Sequence, residues 1–424
     1  MGNTGNAMTD MNRILVIGGG VAGLTVAIEA AEAGCDVVLV EKSTYLGGRV
    51  ASFKQYFPKL CPPACGLEIN FKRIRQNPRV SVFTLAQVER VRGGPGNYTV
   101  DVKVEPRFVT EACTACGDCT AACPVDTPDA FNLGMVKHKA IHLPHTAAYP
   151  ARYVIERSSC KGGCHACADA CKYGAIDLNQ QAVTKTFHVA AIVAATGWAP
   201  YDAVKIDNLG FGRCANVVTN VMLERLASGS GPSAGHVLRP SDGKEPKSVA
   251  FVQCAGSRDQ NHLPYCSGVC CSASLKHATY IRSLYPDAKI TIFYIDVRTP
   301  GHLQDFYNTV TAENAIELIK GKVGKVEEDP ESRNLIVTAE DAVHGTKLTR
   351  NYDLVVLATG IVPQTHDLPA VFATDEFGFI TNGQAGVYAT GCVTRPTEVS
   401  AVIRDATGAA LRALQVARRG ANHG

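Results

Sequence analysis

A glycine turn set between an apolar strand and a helix constrains this chain more than any other feature. Arg13 to Gly18 (RILVIG) reads as a buried strand and runs into Gly18-Gly19-Gly20-Val21-Ala22-Gly23. A helix follows through Ala33, and Asp36 to Val40 forms a second strand ending at Glu41. Strand, turn, helix and strand in this order make one parallel βαβ unit, and the turn is the G-x-G-x-x-G dinucleotide fingerprint in its required context. Gly18 permits the tight turn, Gly20 lets backbone approach a pyrophosphate, and Gly23 allows close helix packing. The helix start at Val21 and Ala22 offers free N–H groups and a partial positive charge to phosphates. Glu41, with Lys42 beside it, lies 18 positions after Gly23, where a carboxylate accepts hydrogen bonds from ribose hydroxyls.

Several later segments point to FAD rather than NAD. Gly47-Gly48-Arg49 resembles the second motif of two-domain FAD flavoproteins. Ile192 to Gly197 (IVAATG, holding Thr196) and Val355 to Gly360 (VVLATG) are buried strands ending in small-residue turns, as at the exit of each dinucleotide domain in that class. Gly386 to Cys392 resembles the last FAD motif, with Cys392 replacing its usual acid. The helix that follows, from about Ser400 to Arg418, is placed to aim its positive end at the flavin ring. Val88, in the first meander, joins the cofactor set.

The pattern occurs twice. Strand, helix, strand (VVLVEK), meander (VSVFTLAQVERVRGG, NYTVDVKV) and AAIVAATGWAP is echoed by SVAFVQCAG, a helix, KITIFYID, a second meander and DLVVLATGIVP. A block of about 106–180 interrupts the first meander between Val104 and Val183, a hairpin tip where insertions are tolerated. The expected architecture is α/β: two dinucleotide-binding domains, thioredoxin-reductase-like, with an inserted two-cluster ferredoxin domain. The expected boundaries are 11–105, 181–245 and 351–424 for the FAD-binding domain, 106–180 for the insert, and 246–350 for a degenerate NAD-type domain.

The insert carries two cysteine runs. Cys113, Cys116, Cys119 and Cys123 are spaced C-x2-C-x2-C-x3-C with Pro124 behind them, the bacterial ferredoxin run. Cys160, Cys164, Cys167 and Cys171 are spaced C-x3-C-x2-C-x3-C. In two-cluster ferredoxins the fourth cysteine of each run ligates the other cluster. One [4Fe-4S] cluster is therefore assigned to Cys113, Cys116, Cys119 and Cys171, and a second to Cys160, Cys164, Cys167 and Cys123. Structural zinc takes four ligands in two pairs, a poor match to eight in interlocked runs. His138, His142 and His145 between the runs read as loop histidines and are assigned no role.

The second half departs where a nicotinamide domain would open its own fingerprint. The chain reads Val252-Gln253-Cys254-Ala255-Gly256-Ser257-Arg258, then Tyr265-Cys266-Ser267-Gly268-Val269-Cys270-Cys271 into a helix. No glycine-lined helix start remains for a pyrophosphate, so a free-standing NAD(P)H oxidoreductase is disfavoured. Cys254, Cys266, Cys270 and Cys271 fit a third iron–sulfur cluster; buried thiols or one redox disulfide fit equally on residues alone. Cys61 and Cys65 (C-x3-C, with Pro62 and Pro63 inside) stay open between a thiolate near the flavin, a disulfide and packing. Cys35 and Cys214 read as buried hydrophobes.

Composition closes off other classes. With 42 basic and 39 acidic residues the net charge is +3, which argues against nucleic acid as the main partner. No stretch approaches the ~18 apolar residues of a membrane helix. The N-terminus MGNTGNAMTDMNR lacks a secretory pattern, and Asn6 spoils a myristoylation site at Gly2. Seventeen cysteines without such a signal point to a reducing compartment and to metal or redox work.

QCAGSR followed by YCSGVCC resembles the A-subunit of heterodisulfide reductase, an FAD and iron–sulfur protein with an inserted ferredoxin domain. Tyr56 to Glu68 (YFPKLCPPACGLE) is most similar to the A-subunit branch found in the quinone-interacting membrane-bound oxidoreductase (Qmo) complex. The resemblance runs from about residue 12 to the C-terminus. It implies FAD on Gly18, Gly20, Gly23, Glu41, Gly48, Arg49, Gly197 and Gly391, and a cluster near it on Cys254, Cys266, Cys270 and Cys271. Lys276 matches a family lysine near the flavin ring, where a cation stabilises the reduced anionic flavin. The implied partners are adenylylsulfate reductase, a second flavin/iron–sulfur subunit and, in the membrane, one haem subunit. The implied location is cytoplasmic, touching the membrane only through partners. Thiol/disulfide electron transfer with flavin-based splitting of electron pairs is the alternative.

Overall fold

The computed structural model describes residues 12–312, 316–381 and 384–422. The expectations about export and about myristoylation at Gly2 and Asn6 lie outside these residues. The chain divides into two compact units, Met1–Trp198 with Pro363–Gly424, and Ala199–Val362.

The first unit is built on a parallel five-stranded sheet in the order Val387–Ala389, Ala191–Ala194, Arg13–Ile17, Asp36–Glu41, Val80–Thr84. Arg13–Ile17 is central, and Ile14, Leu15 and Val16 are fully buried, as a strand covered on both faces must be. Helix Val21–Glu32 lies against the C-terminal helix Val399–Asn422. The other face takes an antiparallel meander, Ala86–Gly94, Asn97–Val104 and Val183–Val189, whose Tyr98, Val100 and Val102 pack on Leu15, Val38 and Ile192.

Val183 is registered directly opposite Val104, so the inserted residues leave and return at one end of a continuous ladder. The insert holds two short strand pairs and two short helices, Asp118–Ala122 and Ala166–Asp169. Its core is small and includes Cys119, Cys123 and Cys167 beside Val109, Ile141 and Ile155. A block this size buries little apolar surface of its own. Buried Arg107 ties it to the sheet through Thr84 Oγ1 (2.9 Å) and the Thr44 carbonyl, while also donating to the Arg152 carbonyl within the insert (3.2 Å).

The second unit repeats the plan. Its parallel sheet runs Val217–Thr219, Leu354–Thr359, Ser248–Ala255, Lys289–Tyr294, Ile316–Lys320. Its meander is Val323–Glu328, Leu335–Asp341 and Thr346–Tyr352. The unit starts earlier and ends later than the sequence boundaries of 246 and 350 place it. Val217 pairs with Val355, and Val356 with Phe251, so both flanking strands complete this sheet instead of the first.

Candidate functional site

In the first unit the strand Arg13–Ile17 delivers the chain into the turn at Gly18, whose φ of +105° favours glycine. A Cβ at Gly23 would stand 1.8 Å from the Gly18 carbonyl oxygen, so helix and turn touch backbone to backbone. No side chain caps the helix that starts at Val21, and its first turn carries no acid. Its N–H groups are left for an anion. Gly20 forms a bridge with Gly47, which brings Gly48 over the same turn.

Glu41 is 9% exposed and folds back on this loop, Oε2 accepting from Gly19 N (2.6 Å) and Oε1 from Ser43 N (2.7 Å). Each oxygen keeps a lone pair for a further donor such as a ribose hydroxyl. Lys42 instead turns outward to Asp367 (2.5 Å). Arg49 donates to the Trp198 carbonyl and lies 5.3 Å from that indole centroid, and burial lowers its pKa. Thr196 Oγ1 donates to Gln364 O (2.6 Å), and Gly197 O accepts from Gln364 N (3.1 Å). Val88 is buried just before a register shift in its strand.

The last motif converges on the first: a Cβ on Gly391 would meet the Ala22 Cβ at 3.2 Å. Cys392 stands where an acid is usual, and the fold supplies a carboxylate from elsewhere. Asp405 Oδ2 accepts from both Thr390 Oγ1 and Gly391 N at 2.8 Å. Cys392 is buried with its Sγ 3.4 Å from the Thr397 carbonyl, and burial pushes its thiol up to about 11, so it stays protonated. The helix expected to aim its positive end at a flavin has its first turn capped by Glu398, which accepts from Ser400 N (2.7 Å) and Ala401 N (2.9 Å).

In the insert, Cys113, Cys116, Cys119 and Cys171 line one cavity, and Cys123, Cys160, Cys164 and Cys167 line another. All seventeen cysteines are free thiols. Among the described residues no three cysteine sulfurs lie within 4.8 Å of one another. A tetrahedral zinc with ~2.3 Å bonds needs them closer than that; a cluster with its own sulfides between the thiolates does not. Burial, then the neighbouring Cys113, pushes Cys119 up to about 11. Coordination to a cationic core reverses such a shift, because a ligating thiol is deprotonated outright. Ala175 N donates to Cys171 Sγ at 3.4 Å, a contact that tunes cluster ligands.

In the second unit, Cys254 sits at a bent strand end (φ +56°), Cys266 in the following loop, and Cys270 and Cys271 open helix Cys270–Leu284. Burial raises Cys254 to about 11 and also raises Cys270 and Cys271, with nearby thiols of the set adding to each. Gly268 N donates to Cys266 Sγ (3.3 Å). Arg258 and Arg298 both pair with Asp296, and their charges act on Cys254 and Cys271 respectively. Those cations favour thiolates; Arg258 closes the QCAGSR motif, whereas Arg298 stands outside any motif read from the sequence. Residues 256–269 separate strand from helix, and Gly268, with a φ of +67°, stands two positions before the helix start.

Lys276 lies one turn along that helix, 4% exposed, its Nζ 2.6 Å from Glu224 Oε1. His277 Nε2 reaches the same oxygen at 2.7 Å. Burial opposes the Glu224 charge, but Lys276 and His277 outweigh it and hold Glu224 down to about 2. Burial depresses His277, so it is a neutral donor to an ionised Glu224. Sequence reasoning finds Lys276 and misses Glu224, which is remote in the chain. Cys61 and Cys65 are both thiols, beside Tyr56.

Fold and site define a two-dinucleotide-domain flavoprotein architecture with a cysteine-rich insert. Residues 16–83 match the NAD(P)-binding Rossmann-like domain family. Thioredoxin reductases of T. acidophilum and Lactococcus lactis superpose with a TM-score of 0.53 each, at 14% and 13% identity. They cover 95% and 96% of this chain and 98% and 99% of their own, a likeness of fold alone. The second iron-sulfur A-subunit of CoB–CoM heterodisulfide reductase from Methanopyrus kandleri is 40% identical over 358 residues, 83% of this chain and 54% of its own. The A-subunit of the H2:CoB-CoM heterodisulfide,ferredoxin reductase of Methanothermobacter marburgensis is 34% identical over 419 residues, 95% of this chain and 63% of its own. Over this shared span the chain belongs to the family of heterodisulfide reductase A-subunits. It spans only about half to three-fifths of the length of these curated relatives.

Proposed function

We propose that this chain is an FAD- and iron–sulfur-bearing electron-transfer subunit of an oxidoreductase complex. The observation that carries the reading is the crossed lining of the two insert cavities, three cysteines from one run and the fourth from the other in each. FAD supplies two-electron chemistry when bound, and a [4Fe-4S] cluster supplies single-electron chemistry. The residues do the holding. The uncapped helix at Val21 and the turn Gly18–Gly23 offer N–H donors to a pyrophosphate, Glu41 offers acceptors to a ribose, and Asp405 fixes Gly391 against Ala22. Cys254, Cys266, Cys270 and Cys271 would hold a third cluster, with Arg258 and Arg298 balancing its negative charge. Lys276 enters any flavin role as half of an ion pair with Glu224, so its cationic influence is partly neutralised in place.

Names of relatives support a redox complex: those proteins are called subunits of ferredoxin-linked CoB-CoM heterodisulfide reductases. The finer reading places this chain in a Qmo-type complex that exchanges electrons between the quinone pool and adenylylsulfate reductase, through a second flavin/iron–sulfur subunit with a membrane haem subunit. It rests on the residues Tyr56 to Glu68. The alternative is thiol/disulfide electron transfer with flavin-based bifurcation, favoured by the relatives' names. Among the described residues no helix is long and apolar enough to cross a membrane, so quinone chemistry falls to a partner. Anaerobic isolation of the native complex separates the two: adenylylsulfate reductase with a haem subunit supports the first, a heterodisulfide-active partner the second. Stoichiometric NADH that bleaches the flavin of the isolated chain within seconds would overturn both.

A further inference from the structure

Two histidines of the insert that line neither cysteine cavity meet a carboxylate. Strands Lys137–Lys139 and Ile141–His142 are separated only by Ala140, and the chain returns through Val154–Ile155 to Glu156. His142 is registered opposite Val154, and Glu156 N donates to the Ala140 carbonyl at 2.8 Å. This crossing brings one ligand atom from each of His138, His142 and Glu156 within 4.8 Å of one another. The two imidazoles stack with centroids 3.7 Å apart, and His138 Nε2 is 3.8 Å from Glu156 Oε1.

The hydrogen bonds leave acceptors facing acceptors. His138 Nδ1 lies 2.9 Å from the Lys139 carbonyl, which can only accept, so Nδ1 is the donor there and the neutral ring presents its lone pair at Nε2. Thr127 Oγ1, 3.1 Å from the same Nδ1, reinforces that ring orientation. His142 Nδ1 is buried with no hydrogen-bond partner. Burial, then His138, pulls His142 down to about 4, which leaves the ring neutral near pH 7. Among the described residues no donor hydrogen-bonds the Glu156 carboxylate. Lys139, the neighbour of His138, is turned to Asp126 (2.9 Å).

We propose that His138, His142 and Glu156 form a site for one divalent transition-metal ion of the zinc class, separate from the iron–sulfur positions. Two imidazoles and a carboxylate hold zinc with a fourth position left for water. A ring N–H given to a backbone carbonyl, as at His138, is the outer contact that orients a ligating imidazole. Lone pairs of near-parallel rings run side by side, so binding splays the stack from its present 25°. The ion would clasp the histidine strands to the segment that carries Cys160. Glu156 O accepts from Ser159 N at 3.0 Å and lies 3.8 Å from Cys160 Sγ.

The test uses anaerobically purified, cluster-loaded protein equilibrated with one equivalent of ZnCl2, desalted, and assayed for zinc and iron. The expected result is about one zinc per chain with an all-N/O first shell at the zinc K-edge. His142→Ala and Glu156→Ala should retain roughly tenfold less zinc at unchanged iron. If an alanine variant loses its iron, His138→Gln, which keeps a hydrogen bond to Lys139, replaces it. Equal zinc retention in wild type and iron-replete variants, or sulfur in the zinc shell, would overturn the site.

Discussion

Replacing Glu224 with glutamine keeps its size and removes its charge, leaving the ammonium of Lys276 in a pocket where both side chains are about 95% covered. Breaking one side of a buried pair costs about 3–5 kcal/mol. A ceiling follows from proton release: discharging an amine with an ordinary lysine value of ~10.4 at pH 7 costs about 4.6 kcal/mol. Expressed as amide exchange in helix Cys270–Leu284, the loss is ~10²–10³-fold lower protection. Each unit of pH above 7 makes discharge easier by about 1.4 kcal/mol, so the variant should recover toward wild type between pH 7 and 9. Wild type should stay flat there. Its Glu224 value is depressed to about 2, so that stabilisation is complete above the ordinary carboxylate range and is lost only as pH falls through about 2. Lys276→Met in the Glu224→Gln background should restore most of the protection. Hydrogen exchange by mass spectrometry, corrected for intrinsic rates, reads all three proteins. Less than about 1 kcal/mol at pH 7, or a deficit independent of pH, would refute the buried pair.

Other consequences are as direct. Cys171→Ser should remove the cluster of the Cys113, Cys116 and Cys119 cavity and spare its neighbour, and Cys164→Ser the reverse; electron paramagnetic resonance of the reduced variants distinguishes the two losses. Gly23→Ala drives a methyl into the Gly18 carbonyl, so the protein should purify with little FAD but normal iron, read by absorbance. Asp405→Ala frees Thr390 and Gly391, and FAD should bind about tenfold more weakly for the loss of ~1.5 kcal/mol in charge-assisted hydrogen bonds, measured by flavin retention on dilution.

Much of this is legible because the signals are local. The turn at Gly18–Gly23 sits within one strand–helix junction, each cysteine run spans a single loop and helix, and the insertion shows where Val104 breaks off and Val183 resumes. The fold class follows from that. What escapes depends on strands meeting across long separations. Val217–Thr219 and Leu354–Thr359 join the second sheet by pairing with each other and with Ser248–Ala255, a choice no local pattern announces. Asp405 brings a carboxylate to Thr390 and Gly391, next to Cys392, from within a helix whose spacing marks it only as an amphipathic position. Glu224 carries no local signal of its buried pairing with Lys276 and His277, both some fifty residues away in the chain. Glu398 caps its helix as a side chain ahead of the first turn, a contact the motif's spacing does not announce. His138, His142 and Glu156 are brought together by strands of two and three residues, too short to leave a periodic signature.

The proposed function, with three sets of four thiols holding inorganic clusters in a chain that binds flavin, requires a fixed composition. Iron, acid-labile sulfide and FAD should be counted together on chain purified without oxygen. About twelve iron and twelve sulfide, four to each of three clusters, are expected per FAD. Fewer than about four irons per chain, less than one full cluster, would rule out an electron-carrying role.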